Sequence, residues 1–255
     1  MGSPTRKLPD SDALRPAEQR GSSDAVASGV RGAAEIGFVR RDGATRLSHL
    51  YERDPLRVLF PQPEAGELPQ AVIVTTSGGL VAGDRIDVAV MIDNDAAAHV
   101  TASAAEKIYR SLGATTEINQ SLSVGAGSTL EFLPPETILF DGARLRRRTT
   151  LDLAASAGFL GGEIVVFGRR ARGERFSRGF LHQVWEVRRD GDLIWGDALH
   201  LDGDIAAIID NPACFDGAAA FATMILAPGT ADPKQFIGCA RAAHASAAGP
   251  ELKAG

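Results

Sequence analysis

"DRIDVAVMI", residues 84–92, places Ile86, Val88, Val90 and Ile92 on one side of an extended chain and Arg85, Asp87, Ala89 and Met91 on the other. Successive side chains of a strand point to opposite faces, so this stretch reads as a strand with one buried face. Working outward, "AVIVTT" (71–76) precedes it as an apolar run, and a period of two recurs in "AHVTASA" (98–104), "TTEINQSLSVG" (115–125), "TLEFL" (129–133) and "LRRRTTLDLA" (145–154). "FLGGEIVVFG" (159–168), "FLHQVWEVRR" (180–189) and "LIWGDALHL" (193–201) follow, with turn signals at Asp93-Asn94-Asp95, Asp190-Gly191 and Asp202-Gly203. No helical period separates these runs, so the expectation is a mainly β fold. Its many short antiparallel strands would form a sandwich or helix-like body, with a few helices mostly near the C-terminus.

The helices are expected in two Ala-rich segments, 212–227 after Asn211 and 233–248 after Asp232, each opened by proline. Residues 1–33 are rich in Ser, Pro, Asp and Arg without a periodic face and read as a disordered tail. The division is therefore tail to 33, one β domain over 34–230, and a helical segment with a tail over 231–255.

With 255 residues, 44% of them hydrophobic, the chain can build a sizeable core, and a net charge of -5 gives no global attraction to nucleic acid or anionic membrane. Two cysteines and no apolar leader point to a reducing cytoplasm. No run approaches the roughly 18 apolar residues of a membrane span. Charge is nevertheless uneven: nine arginines and only three acids lie between Arg144 and Arg178, a surface for an acidic protein partner or for RNA. The segment lacks the interleaved aromatic platform that base stacking requires, which weighs against RNA.

Enzyme motifs fare poorly. In "TTSGGLVAGD" (75–84) the glycines lead into Asp84 and a strand, whereas a phosphate loop needs a lysine and a following helix. They read as a tight turn. The five histidines are scattered singly, and no paired-cysteine or paired-histidine metal motif occurs. No nucleophile elbow is present. Carboxylates are plentiful, so a carboxylate-dependent β hydrolase stays open as an alternative without a pair being singled out.

Five segments in order, "TTSGGLVAGDRIDV", "SAAEKIYRS", "LPPETILFDGARLRRRT", "FLGGEIVVFGRRARGERF" and "LIWGDALHLDG", resemble the UreD family of urease accessory proteins, also called UreH. The resemblance spans roughly residues 36 to 228. It implies a non-catalytic β scaffold that joins UreF and, through UreF, the GTPase UreG to the urease apoprotein. It further implies an internal route for nickel, with no tightly bound cofactor and only transient Ni²⁺. Oxygen ligands suit an ion that must be released, so the lack of His and Cys clusters agrees with transit. By resemblance the path acids are Glu136, Asp141, Glu163 and Glu174, with Asp84 as a weaker member. Nucleic acid and membrane are not among the implied partners. Ala82 stands where the family carries glycine, and the end of the chain is shorter and less apolar than the family's helical finish.

Overall fold

A computed structural model describes residues 29–247. In chain order the strands are β1 (Arg31–Arg41), β2 (Ala44–Arg53), β3 (Leu56–Leu59), β4 (Gln70–Thr75), β5 (Arg85–Ile92), β6 (Ala97–Ala102), β7 (Glu106–Ile108), β8 (Thr116–Val124), β9 (Thr129–Phe132) and β10 (Thr137–Leu139). Then come β11 (Arg144–Leu153), β12 (Gly158–Phe167), β13 (Phe180–Arg189), β14 (Asp192–Asp202), helix α1 (Ile205–Asp210), β15 (Ala220–Pro228) and helix α2 (Lys234–Ala247).

Strands of alternating sheets follow one another along the chain. From β4 to β13 it passes back and forth between a seven-stranded sheet, ordered β14-β13-β11-β8-β5-β1-β2, and an eight-stranded one, ordered β3-β4-β6-β9-β12-β10-β7 with β15 on β12. Each circuit lays a strand beside its predecessor in the same direction: β5, β8, β11 and β13 pair in parallel, as do β4, β6, β9 and β12. The body is thus a flattened coil. Stacked positions lie 32 residues apart at Asp87 and Asn119, and 29 apart at Gln120 and Thr149.

The mainly β character and the few helices match the sequence-based expectation, but strand direction is corrected. Parallel neighbours need a long return connection, ordinarily a helix. Here a strand of the opposite sheet makes the return, so the helix-free pattern hides the parallel order. Among the named strands, antiparallel pairing is confined to β1–β2, β3–β4, β13–β14 and β12–β15. The helix predicted over 212–227 is also corrected: 220–228 is strand β15, because Phe221, Ile225 and Ala227 alternate onto the core while Ala222, Met224 and Leu226 face out. The second predicted helix corresponds to α2. Strand β1 begins at Arg31, inside the segment assigned to the tail; residues 1–28 and 248–255 of the two predicted tails lie outside the described residues.

Inward-facing residues stack into rows across the coil. Ile36, Val90, Leu122, Leu151 and Val187 are successive partners in one such row, all buried. Each contributes about 1.5–3 kcal/mol of burial.

The glycine stretch is a close-approach loop. Leu80 bridges Ile108 of β7, and a Cβ on Gly79, whose φ is +148°, would meet the Lys107 carbonyl oxygen at 2.7 Å. Gly83 also needs its positive φ of 84°, whereas Ala82 does not take one, which explains how alanine is accommodated there. Gly79→Ala is expected to destabilise the chain by about 2 kcal/mol, read as a lower urea midpoint, while Ala82→Gly shifts it little.

Candidate functional site

The apolar filling between the sheets gives way in one region. Ile86 and Ile118 lead, in the same inward row, to Arg147 on β11 and Gln183 on β13. The neighbouring row runs from Val88 through Gln120 and Thr149 to Trp185. Facing them from the other sheet are Thr137 of β10 and Glu163 of β12, both buried. Alternation along β12 is responsible: Glu163 shares the inward parity of Phe159, Val165 and Phe167.

Arg147 and Glu163 form an ion pair with Nε and Oε2 2.7 Å apart, their side chains only 6% and 4% exposed. The contact is close but poorly directed, since neither atom has a partner of hydrogen-bond geometry. The other atoms are well held. Arg147 donates from Nη1 to Thr137 Oγ1 and from Nη2 to Gln183 Oε1, each at 2.8 Å. Glu163 Oε1 accepts from both Gln183 Nε2 and Trp185 Nε1.

A cavity of about 180 Å³ reaches this cluster. Its outer part is walled by exposed Ser77 and Gly78 of the glycine loop and by Ser103, Ala104 and Lys107; its inner part by Arg147 and Glu163. It therefore leads from the surface into the core, and it is large enough and polar enough to hold water. Glu106 lines it as well, accepting from Thr75 Oγ1 at 2.8 Å. Burial pushes the Glu106 carboxyl above its ordinary proton affinity, against the pull of Thr75, Lys107 and Arg147. Burial also pushes Glu163 up, with Asp197 adding to the shift, while Arg147, Trp185 and Gln183 hold it back.

Of the five acids singled out from sequence, only Glu163 lines the cavity. Asp84 is buried and accepts from the backbone N–H groups of Val30 and Val81 at 2.8 Å, so it staples a turn. Asp141 accepts from Ser177 N–H, Ser177 Oγ and Arg178 N–H, joining the loop before β11 to that before β13. Glu174 pairs with Arg169 and accepts from Asp141 N–H at 2.8 Å. Glu136 is half-buried beside the cavity wall, and its carbonyl accepts from Glu106 N–H. The structure thus brings Asp141 and Glu174 together at one turn, away from Glu163.

Sequence reasoning missed Glu106 and Arg147. Arg147 had a legible signal, because it shares the parity of Leu145, Thr149 and Leu151, the side of its strand that faces the core. The histidines divide differently from their sequence spacing: His49 pairs with Glu35, His99 with Glu131, and His182 lies beside His200 across β13 and β14. Burial, Arg146 and His200 together push His182 below its ordinary proton affinity. Among the described residues no three His, Cys, Asp or Glu side chains converge on one point.

The arginine-rich segment is partly internally compensated. Arg169 pairs with Glu174, Arg175 with Asp210 and Arg148 with Glu186. Aromatic rings in the region are occupied as well: Arg144 and Arg146 lie over Phe180 and Arg169 over Phe140, which leaves them poorly placed to stack bases.

Residues 30–255 match the sequence profile described as "UreD urease accessory protein". The chain belongs to the UreD family. A relative from Magnetococcus marinus, named urease accessory protein UreD, is 47% identical over 199 residues, which cover 78% of this chain and 69% of that one. Urease accessory protein UreD 3 of Bradyrhizobium sp. BTAi1 is 44% identical over 80% of this chain and 73% of its own length. UreD of Rhodopseudomonas palustris BisA53 is 43% identical over 85% and 76% respectively. UreD membership makes the chain an accessory factor in urease assembly rather than an enzyme. No described helix is long and apolar enough to cross a membrane.

Asp141 holds two loops of this UreD chain together. Burial tends to raise its carboxyl, and the donors from Ser177 and Arg178 outweigh that, holding it below its ordinary value of 3.8. Its contribution is therefore complete above pH 3.8 and is lost as pH falls through the lower folded value. Asp141→Ala is expected to cost about 2–3 kcal/mol at neutral pH, measured by urea unfolding, and the gap from wild type should narrow in acid.

Proposed function

We propose that this chain is the scaffold that joins UreF, and through it UreG, to urease apoprotein, and that it assists delivery of nickel to the forming metallocentre. Nickel is cargo in this reading, held transiently and by no tightly bound cofactor. The observation that carries it is the water-accessible cavity leading from the glycine loop to Glu163 in the core. An internal carboxylate reached from solvent offers a hard-oxygen stopping point that releases its ion readily. Asp197 on β14 is near enough to act electrostatically on Glu163 and is exposed, which extends the acidic line towards the far end of the coil.

The scaffold role draws support from that same end. There β14 and β15 are edge strands, and Leu193, Ile194 and Trp195 on one and Met224 and Leu226 on the other are exposed. Uncovered edges and apolar patches of this kind fit a chain that is completed by protein partners. Cys214 and Cys239 are exposed free thiols, which suits a reducing cytoplasm. The acids assigned to the path from sequence divide accordingly: Glu163 serves the route, Glu136 borders it, and Asp84, Asp141 and Glu174 shape the loops around it.

Co-expression with UreF, UreG and the urease subunits tests this reading. Glu163→Gln is expected to leave the recovered complex intact and to lower nickel-dependent urease activation on the order of tenfold, equivalent to about 1.4 kcal/mol. Full activation by a Glu106→Gln/Glu163→Gln chain in an intact complex would contradict the nickel route, and failure of any complex to form would contradict the scaffold.

A further inference from the structure

The floor of the cavity holds a contradiction that its chemistry can resolve. A route for a divalent cation ends on a carboxylate that is already matched to a buried cation of the protein's own, Arg147. Resting on the nickel-route reading, we propose that Arg147 is a displaceable internal counter-ion. An incoming divalent cation takes Glu163 Oε2 with Glu106 as the second carboxylate, and the guanidinium withdraws onto Thr137 and Gln183.

The bonding around each group is divided in the way such an exchange requires. Glu163 Oε1 is fixed by Gln183 and Trp185, so the carboxylate keeps its position when its other oxygen changes partner. Oε2 faces Arg147 alone, in a contact that lacks hydrogen-bond direction. Arg147 has neutral acceptors for both terminal nitrogens, at 2.8 Å, and these can retain it after the ion pair opens. Glu106 lines the same cavity, and its Oε2 is held by the Thr75 hydroxyl. In the exchange the Nε to Oε2 ion contact breaks and a cation to Oε2 bond forms, with no proton transferred.

The arrangement also explains release. The retained guanidinium leaves a positive charge beside the bound cation, and like charges at short range among largely buried side chains repel more strongly than in bulk water. Without an ion, Arg147 returns and spares Glu163 the cost of an unpaired buried charge. The site thus stays folded when empty and holds its ion weakly when full. A purely structural ion pair would instead have no influence on cation affinity beyond its effect on stability.

The test is equilibrium dialysis of the full chain against NiCl₂. Arg147→Gln removes the competing charge and keeps a hydrogen-bonding side chain; it is expected to bind nickel at least about tenfold more tightly than wild type. Arg147→Gln/Glu163→Gln, which carries no buried charge at this pair, is expected to lose that binding. Equal or weaker nickel affinity in folded Arg147→Gln overturns the exchange while leaving the nickel route intact. Wild-type nickel affinity in the double variant overturns both. A second measurement needs no single variant to fold: the arginine Nε–H resonance assigned to Arg147, identified by its loss in the double variant, should move when wild type is titrated with diamagnetic Zn²⁺. An unmoved resonance at saturation also overturns the exchange.

Discussion

The ion pair between Arg147 and Glu163 is the interaction around which the interior is arranged. It joins β11 of one sheet to β12 of the other across a core that is otherwise filled mainly by apolar side chains. Replacing a buried pair of this type by apolar side chains commonly leaves a protein as stable or more so, whereas removing one partner is costly. Stability alone is therefore a poor reason for its presence. Its position at the inner end of a solvent-reaching cavity supplies a better one: the charged pair and its polar neighbours stand where apolar packing would seal the coil.

The coil supplies the geometry that makes this possible. Parallel stacking brings residues from successive circuits into one row, so that Ile118, Arg147 and Gln183 become neighbours although they are remote in sequence. The same stacking sets Glu106, on the short β7, beside β10 and the turn that carries Glu136. The acids of the surrounding loops then play a different part. Asp84 and Asp141 gather backbone donors: Asp84 closes the turn ahead of β5, and Asp141 joins the loops leading into β11 and β13.

Much of this was legible before any coordinates. Period-two runs located most strands, and the parity of Leu145, Thr149 and Leu151 identified the inward face of β11, although Arg147, which shares that parity, was missed. Direction was not legible, because alternation of side chains is identical in parallel and antiparallel strands, and the return path through an opposite sheet leaves no helical signature. Residues 220–228 misled for a related reason: alanine-rich composition favours helix, yet tertiary pairing with β12 decided the outcome. Among the acids, motif resemblance could select residues but could not separate a carboxylate facing a cavity from one capping a turn. That distinction depends on which backbone N–H groups the fold brings near, as at Asp141 with Ser177 and Arg178.

On the nickel-route reading proposed above, a divalent cation passes through the interior of this coil between Glu106 and Glu163. Crystals of the chain soaked in NiCl₂ and measured across the nickel absorption edge test it directly. The expected result is an anomalous peak inside the cavity beside Glu163 Oε2, with the Arg147 guanidinium drawn back. Peaks confined to surface groups such as His49 and His99, with an unchanged Arg147–Glu163 pair at saturating nickel, would contradict it.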